Sequence, residues 1–293
     1  MKIVYIGCVT SSDRFLKSIY QLDNVDIVGI VTKSVSHFNA DHVSLEHFAV
    51  EKGIDWLDYR DNDELYEWIN KKEPDLIYCF GWSQLIPSSI FAIPTLGAVG
   101  YHPALLPQNR GRHPIIWAIA LGLKETGSSF FFLEEEADAG AILNQRKVEI
   151  NKVEDANSLY DKLLDIGEIQ VIEMTKQFLS GTITPVKQDI EKVNYWRKRS
   201  KKDGQIEWRM SSESIARLVK ALTKPYVGAH FNYRNTDCKV WRAIVVDSKG
   251  LENIEPGKVI AVDQNSFTVK TGDGLLQVLD WEKEYNPKIG EYL

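Results

Sequence analysis

At 293 residues, 44% of them apolar and 26% charged, the chain is long enough to bury a substantial core plus a smaller second unit, and its composition excludes extensive disorder. A net charge of −6, from 35 Lys and Arg against 41 Asp and Glu, argues against a broad non-specific nucleic-acid surface while leaving room for a local basic patch. Three widely spaced cysteines and six histidines exclude a disulfide framework and form no recognisable zinc motif.

The chain opens on a βαβ pattern. Residues 2–6 and 25–32 are apolar runs of strand length, and between them residues 12–22 carry a helical stripe that Ser11 or Ser12 can cap. Helices are predicted over 42–52 and 62–72, the second with acidic residues in its first turn and Leu65, Trp68 and Ile69 on its buried face. After Pro74 come strands over 76–80 and 95–101, a helix over 114–121, strands over 128–133 and 142–150, and one long helix or two shorter ones over 155–178. Short apolar strands alternating with helices predict an α/β fold built on a mostly parallel, Rossmann-like sheet. No apolar run reaches membrane-spanning length, and Met1 to Gly7 lacks the pattern of a signal peptide, so a cytoplasmic location without membrane insertion is expected.

The run 187–202 holds Lys192, Arg197, Lys198, Arg199, Lys201 and Lys202 beside Asp189 and Glu191, and reads as a solvated basic connector. A helix over 211–222 follows, with Ser211 as its N-cap and Pro225 beyond its end. Strands over 229–233, 239–246, 258–262, 266–270 and 275–281, punctuated by Gly250, Gly257, Gly272 and Gly274, predict a smaller β-rich, barrel-like domain. The expected division is a larger catalytic domain over 1–186, a basic linker over 187–204, and a carboxyl-terminal helix plus small β-rich domain over 205–293.

The strand over 95–101 delivers His102 at its carboxyl end, the edge where open α/β sheets hold their ligands. Pro103 and Pro107 stiffen the loop that follows, and Gly111 frees it to turn sharply. Imidazole takes and gives protons near neutral pH. Asp138 follows Glu134, Glu135 and Glu136 at a second turn, before Ala139 and Gly140. A carboxylate brought beside an imidazole orients the ring and favours its charged form, so acid–base chemistry in one cleft is the expectation. Arg110 either braces the loop or recruits a phosphate.

The run His102-Pro103-Ala104-Leu105-Leu106-Pro107-Gln108-Asn109-Arg110-Gly111, together with Asp138-Ala139-Gly140, resembles the catalytic region of the folate-dependent formyltransferases. That family includes methionyl-tRNA formyltransferase and the nucleotide-sugar N-formyltransferases. The similarity continues through 203–208 and 221–229, and so covers most of the chain. It implies N10-formyltetrahydrofolate as formyl donor, an amine as acceptor, no metal, and His102 and Asp138 as catalytic residues.

In the usual family pattern an asparagine stands two residues before the histidine and helps hold the formyl oxygen; here that position is Gly100. Loss of one oxyanion donor costs on the order of 3 kcal/mol in acyl transfer, and Asn109 or Gln84 is the expected substitute. Phe80, Gly81, Trp82, Ser83, Gln84 and Leu85 resemble the folate-side loop, with Trp82 facing either the cofactor or the core. Glu134, Glu135, Glu136 and Asp138 form the other wall, whose negative charge turns the folate glutamate tail toward solvent or basic residues. Gly7, Ser11, Ser12 and Arg14 after the first strand, with Arg110 and Tyr226, are candidate substrate contacts; helix capping and packing are the competing roles for the serines and for Tyr226.

The resemblance favours transfer to the primary amine of a dTDP-, UDP- or GDP-linked amino-deoxy sugar, in the synthesis of a formylated lipopolysaccharide or O-antigen precursor. Methionyl-tRNA formyltransferase is the alternative enzyme. A non-catalytic nucleotide-sugar or folate-binding protein is the alternative without chemistry, raised by Gly100. The expected partner is the amino-sugar nucleotide, a homodimer is compatible with the resemblance, and the net charge argues against nucleic acid.

Overall fold

The computed structural model describes residues 1–36, 40–247, 251–283 and 285–293. Gly250, one of the expected strand separators, lies outside them. The chain divides into two compact units, one made of Met1–Pro114, Thr126–Val148 and Asp161–Trp196, the other of Ile115–Glu125, Glu149–Tyr160 and Arg197–Leu293.

In the first unit β1 (Lys2–Ile6) is buried from Ile3 onward, and α1 (Thr10–Tyr20) returns the chain to β2 (Asp26–Thr32), parallel to β1. Neither serine holds the N-cap position of α1. Val9 holds the N-cap position, and Ser12 lies inside the first turn, accepting from Val9 N at 3.2 Å and donating to Phe80 O at 2.6 Å. α2 (Glu46–Lys52) is shorter than the predicted 42–52, because the residues ahead of it are tied to the sheet. Val43 N and His42 Nδ1 donate to Cys8 O, and Leu45 N donates to Thr32 Oγ1 at 3.0 Å.

β3 (Trp56–Asp58) is a three-residue strand, too short to show as an apolar pattern. α3 (Asn62–Lys72) has the predicted bounds for local reasons: Asp61 accepts from the amides of Asp63 and Glu64, and Leu65 and Ile69 are fully buried. Next along the chain come β4 (Leu76–Cys79), α4 (Ser88–Phe91), β5 (Ala98–His102), β6 (Arg110–Gly111), α5 (Pro114–Ala120), β7 (Glu125–Phe132), β8 (Ile142–Glu149) and α6 (Ala156–Ser180), which is one continuous helix; nearly all of α5 and the first residues of α6 belong to the second unit. β9 (Tyr195–Trp196) pairs in parallel with β6.

The main sheet runs β3-β2-β1-β4-β5-β7-β8; its strands from β3 to β5 are parallel and β7 lies antiparallel to β5. Alternation in β1 sends Val4 and Ile6 into a cluster with Leu65 and Ile69 of α3. Tyr5 points to the other face, where its ring packs edge-on against Phe80, 5.6 Å between centroids, and its hydroxyl donates to Ser12 O. Phe15 of α1, Phe80 and Phe130 complete that aromatic layer. Covering the sheet on both faces leaves its carboxyl edge, from which His102 emerges, as the place where loops can hold a ligand.

In the second unit α7 (Ser212–Ala221) is N-capped by Ser211, whose hydroxyl accepts from Ser214 N at 3.1 Å. A five-stranded sheet follows, with β10 (Ala229–Tyr233), β11 (Thr236–Val246), β12 (Val259–Asp263), β13 (Ser266–Lys270) and β14 (Leu275–Trp281) in the order β10-β11-β14-β13-β12 and every neighbour antiparallel. Arg234 and Asn235, at φ 50° and 66°, make the tight turn between β10 and β11. β10 and β12 form the two edges of this sheet; among the described residues they do not pair with one another, so the sheet is not closed.

Candidate active site

His102 is the last residue of β5 and is only 5% exposed. Its Nε2–H donates to the backbone carbonyl of Asn109 at 2.8 Å, which turns Nδ1 toward Asp138 Oδ2, 3.7 Å away. A ring protonated on both nitrogens therefore meets an acceptor on each side. Asp138 Oδ2 accepts from Gly111 N at 2.9 Å, so the carboxylate that faces the histidine is bonded to the far end of the histidine's loop. Gly111 is needed there. Its φ is 102°, and a Cβ would lie 2.3 Å from Trp196 O.

A depression of about 580 Å³ is lined by Ser88, Phe91, Ala92, Leu133, Glu134, Glu135 and Glu136, the last of them two positions before Asp138 in the chain. Leu133 joins it to β5, because a Cβ built on Gly100 would stand 2.7 Å from Leu133 Cδ2 and 3.0 Å from Phe131 Cζ. The space an asparagine would need at position 100 is occupied by these two side chains.

The expected contacts fare unequally. Asn109, at φ 63°, presents its carbonyl to His102, while its side-chain Oδ1 accepts from Asn194 Nδ2 at 3.2 Å. Gln84 and Leu85 are exposed, Leu85 at 79%, and Ser83 is half-buried with its carbonyl near Arg112. Phe80 is corrected: it is fully buried in the aromatic layer, stacked on Tyr78 at 5.0 Å, and has no face for a cofactor. Gly81, at φ 64°, is pressed against Val9 and Ser12. Trp82 is half-buried against the core, edge-on to Tyr59 at 5.1 Å; its Nε1 is buried and has no hydrogen-bond partner among the described residues.

Four of the expected substrate contacts, Gly7, Ser11, Ser12 and Arg14, are engaged within the protein. Ser12 is fully buried and bonded to Phe80 O, Ser11 is 4% exposed, and Gly7 packs against both Ser12 and Phe80, so this turn is a packing joint. Arg14 is spent on α6: it pairs with Glu168 at 2.7 Å and Asp165 at 2.8 Å, and the hydrogen bond to Glu168 above all holds its guanidinium above the ordinary value. Arg110 is 3% exposed and its guanidinium bonds to Gln188, Glu136 and Tyr195. Tyr226 is half-buried in the second unit.

The basic run was read too simply. Gln188, Asn194 and Tyr195 within it bond to Asp138, Asn109 and Arg110 respectively, contacts whose only trace in the sequence is uncharged polar residues amid lysines. All three cysteines are buried, and burial pushes the Cys79 thiol up, which makes it a poor nucleophile. Among the described residues, no three His, Cys, Asp or Glu side chains gather as metal ligands would, and no helix is long and apolar enough to cross a membrane.

Residues 2–175 match the formyl transferase family, and residues 198–290 match the formyl transferase C-terminal domain. The methionyl-tRNA formyltransferase of Caldanaerobacter subterraneus subsp. tengcongensis is 30% identical over 302 residues, covering all of this chain and 96% of that protein. Among solved structures, the N-formyltransferase of Helicobacter canadensis, in complex with folinic acid and dTDP-3-aminofucose, superposes with a TM-score of 0.73 at 17% identity, over 96% of this chain and all of that one. HypX of Aquifex aeolicus, in complex with tetrahydrofolic acid, does so with a TM-score of 0.67 at 19% identity, over 96% of this chain and 44% of that one. The structural likenesses speak for the fold, while the family match spans both the His102 loop and the Asp138 turn. The chain belongs to the formyl transferase family.

Proposed function

We propose that this formyltransferase moves a formyl group from N10-formyltetrahydrofolate to the primary amine of a nucleotide-linked amino-deoxy sugar. The observation that carries the reading is the pair of buried His102 and half-buried Asp138, 3.7 Å apart, the acid following two positions after the depression wall from Leu133 to Glu136. That depression suits the pterin end of the donor: Phe91, Ala92 and Leu133 offer flat apolar walls, and the carboxylates accept from ring N–H groups. The donor supplies an activated formyl carbon. The amine attacks the formyl carbon, the bond from that carbon to folate N10 breaks, and the proton the amine loses passes by way of His102 to N10 of the departing tetrahydrofolate, with Asp138 orienting the ring and balancing its charge. With Gly100 contributing no side chain, oxyanion support falls to His102, to Asn109 of its loop and to Gln84 of the loop after β4. The acidic wall directs the folate glutamate tail outward.

The acceptor is where two readings meet. Helicobacter canadensis N-formyltransferase is described with an aminofucose nucleotide, which supports the sugar. The relatives at 30% identity are methionyl-tRNA formyltransferases, which supports tRNA. The basic run favours the sugar, since much of its charge is neutralised within the protein: Lys192 pairs with Asp189, Arg197 with Asp203, and Lys201 with Asp237.

The same reading takes residues 1–186 as the catalytic domain, 187–204 as the linker and 205–293 as the accessory domain, with the open sheet of the latter coiling toward a barrel. It places the enzyme in the cytoplasm, making a formylated lipopolysaccharide or O-antigen precursor, with a homodimer as the assembly.

A mass-resolved screen tests the proposal. Purified protein, N10-formyltetrahydrofolate and a panel of dTDP-, UDP- and GDP-amino sugars should yield tetrahydrofolate and one acceptor heavier by a formyl group. Formylation of methionyl-tRNA with none of the sugars selects the second reading, and binding without turnover on either acceptor overturns both.

A further inference from the structure

The segment that follows α6 is fastened to the site at three points. Val186 and Ile142 exchange backbone hydrogen bonds of 2.8 Å, Asn194 and β9 hold Asn109 and β6, and between them Gln188 reaches both loops of the site at once. Every hydrogen-bonding position of its carboxamide is used. Nε2 donates to Asp138 O at 2.8 Å and to Gly140 O at 2.7 Å, while Oε1 accepts from Arg110 Nη2 at 2.8 Å and Nε at 3.2 Å.

We propose that Gln188 is a positioning residue that sets Asp138 against His102. Asp138 sits at φ 60°, a left-handed conformation that disfavours a non-glycine residue, so its backbone must be held from outside. The holding bonds are the Gln188 amide on its carbonyl and the Gly111 N–H on its carboxylate. Through Arg110, the same side chain fixes the residue next to Gly111 in the His102 loop. Only a carboxamide fits: a carboxylate at 188 faces two carbonyl oxygens without a donor, and an ammonium faces the Arg110 guanidinium.

The inference rests on the proposed transfer for its kinetic arm but not for its structural one. Gln188→Glu keeps an acceptor for Arg110, so the chain stays folded, and loses both donors to the Asp138 turn. The expected result is a fall in kcat of about 10- to 100-fold with KM for donor and acceptor changed less than about twofold, the size of effect that a misplacement near 1 Å produces. In an Asp138→Asn background, Gln188→Glu should add no further loss, whereas a purely structural role would multiply the two losses. Crystal structures of wild type and Gln188→Glu supply the activity-independent readout: a His102 Nδ1 to Asp138 Oδ2 separation longer than 3.7 Å is expected. An unchanged separation, or multiplying losses in the double variant, overturns the proposal. A wild-type protein inactive on every acceptor counts against the formyl-transfer reading, and the crystallographic comparison then decides the role of Gln188 alone.

Discussion

His102 and Asp138 combine burial with contact, which a solvated pair would lack: the histidine side chain is 6% exposed and the aspartate 17%. His102→Ala is expected to lower kcat by about 100- to 10,000-fold, the range for loss of a positioned acid–base group, with the circular-dichroism spectrum unchanged. Near-normal turnover in a folded variant would remove it from the mechanism. Gly100 presents the complementary case. Because Leu133 and Phe131 fill the space beside it, Gly100→Asn alone should lower stability by about 1–3 kcal/mol through overpacking, with no gain in kcat. Combined with Leu133→Ala, which opens the site, the asparagine should raise kcat above that of Leu133→Ala alone. Equal rates in the two variants would show that an amide at 100 does not reach the reacting oxygen.

The elements differ in how much of their cause is local. α3 could be read from the sequence to the residue, since its cap at Asp61 and its buried stripe at Leu65 and Ile69 lie within one short window. Asp61→Ala should cost about 1 kcal/mol in urea unfolding. α2 could not, because its early residues bond to Cys8 O and to Thr32 Oγ1 of other elements, and tertiary hydrogen bonds outrank periodicity there. β6 and β9 are two residues each and exist only as each other's partners. Phe80 shows the same limit at a site residue: the motif placed it beside a cofactor, yet it closes the aromatic layer between α1 and the sheet. Phe80→Ala is accordingly expected to destabilise the chain by about 3–5 kcal/mol, measured by urea unfolding, through a core cavity.

At the scale of the molecule, opposite charges meet repeatedly across short loops, and this makes stability depend on acid. The hydrogen bond from Arg197, with further donors at Ser200, holds the Asp203 carboxyl well below the ordinary carboxylate range, and Ser212 N does the same, less strongly, for Asp273. A depressed folded-state value stabilises the protein above the unfolded carboxylate's titration, near pH 4, and that contribution is lost as pH falls toward the folded value. Tm should therefore drop between about pH 4 and pH 2, and Asp203→Asn should lower Tm at neutral pH while flattening that drop. A parallel shift of the whole curve would mean that the Asp203 pair does not carry the acid sensitivity.

The sequence by itself determined the order of the longer strands and helices, the emergence of His102 at a strand end and the family signature, because each is written in contiguous residues. The tertiary structure decided that His102 and Asp138 stand 3.7 Å apart, that Arg14 pairs with α6 and Ser12 is buried against Phe80, that Gly100 has no room beside it, and that Gln188 bonds to a turn fifty positions away. Hydrogen bonds and close contacts between distant segments depend on where the whole chain has brought them, and they leave no periodic mark along it.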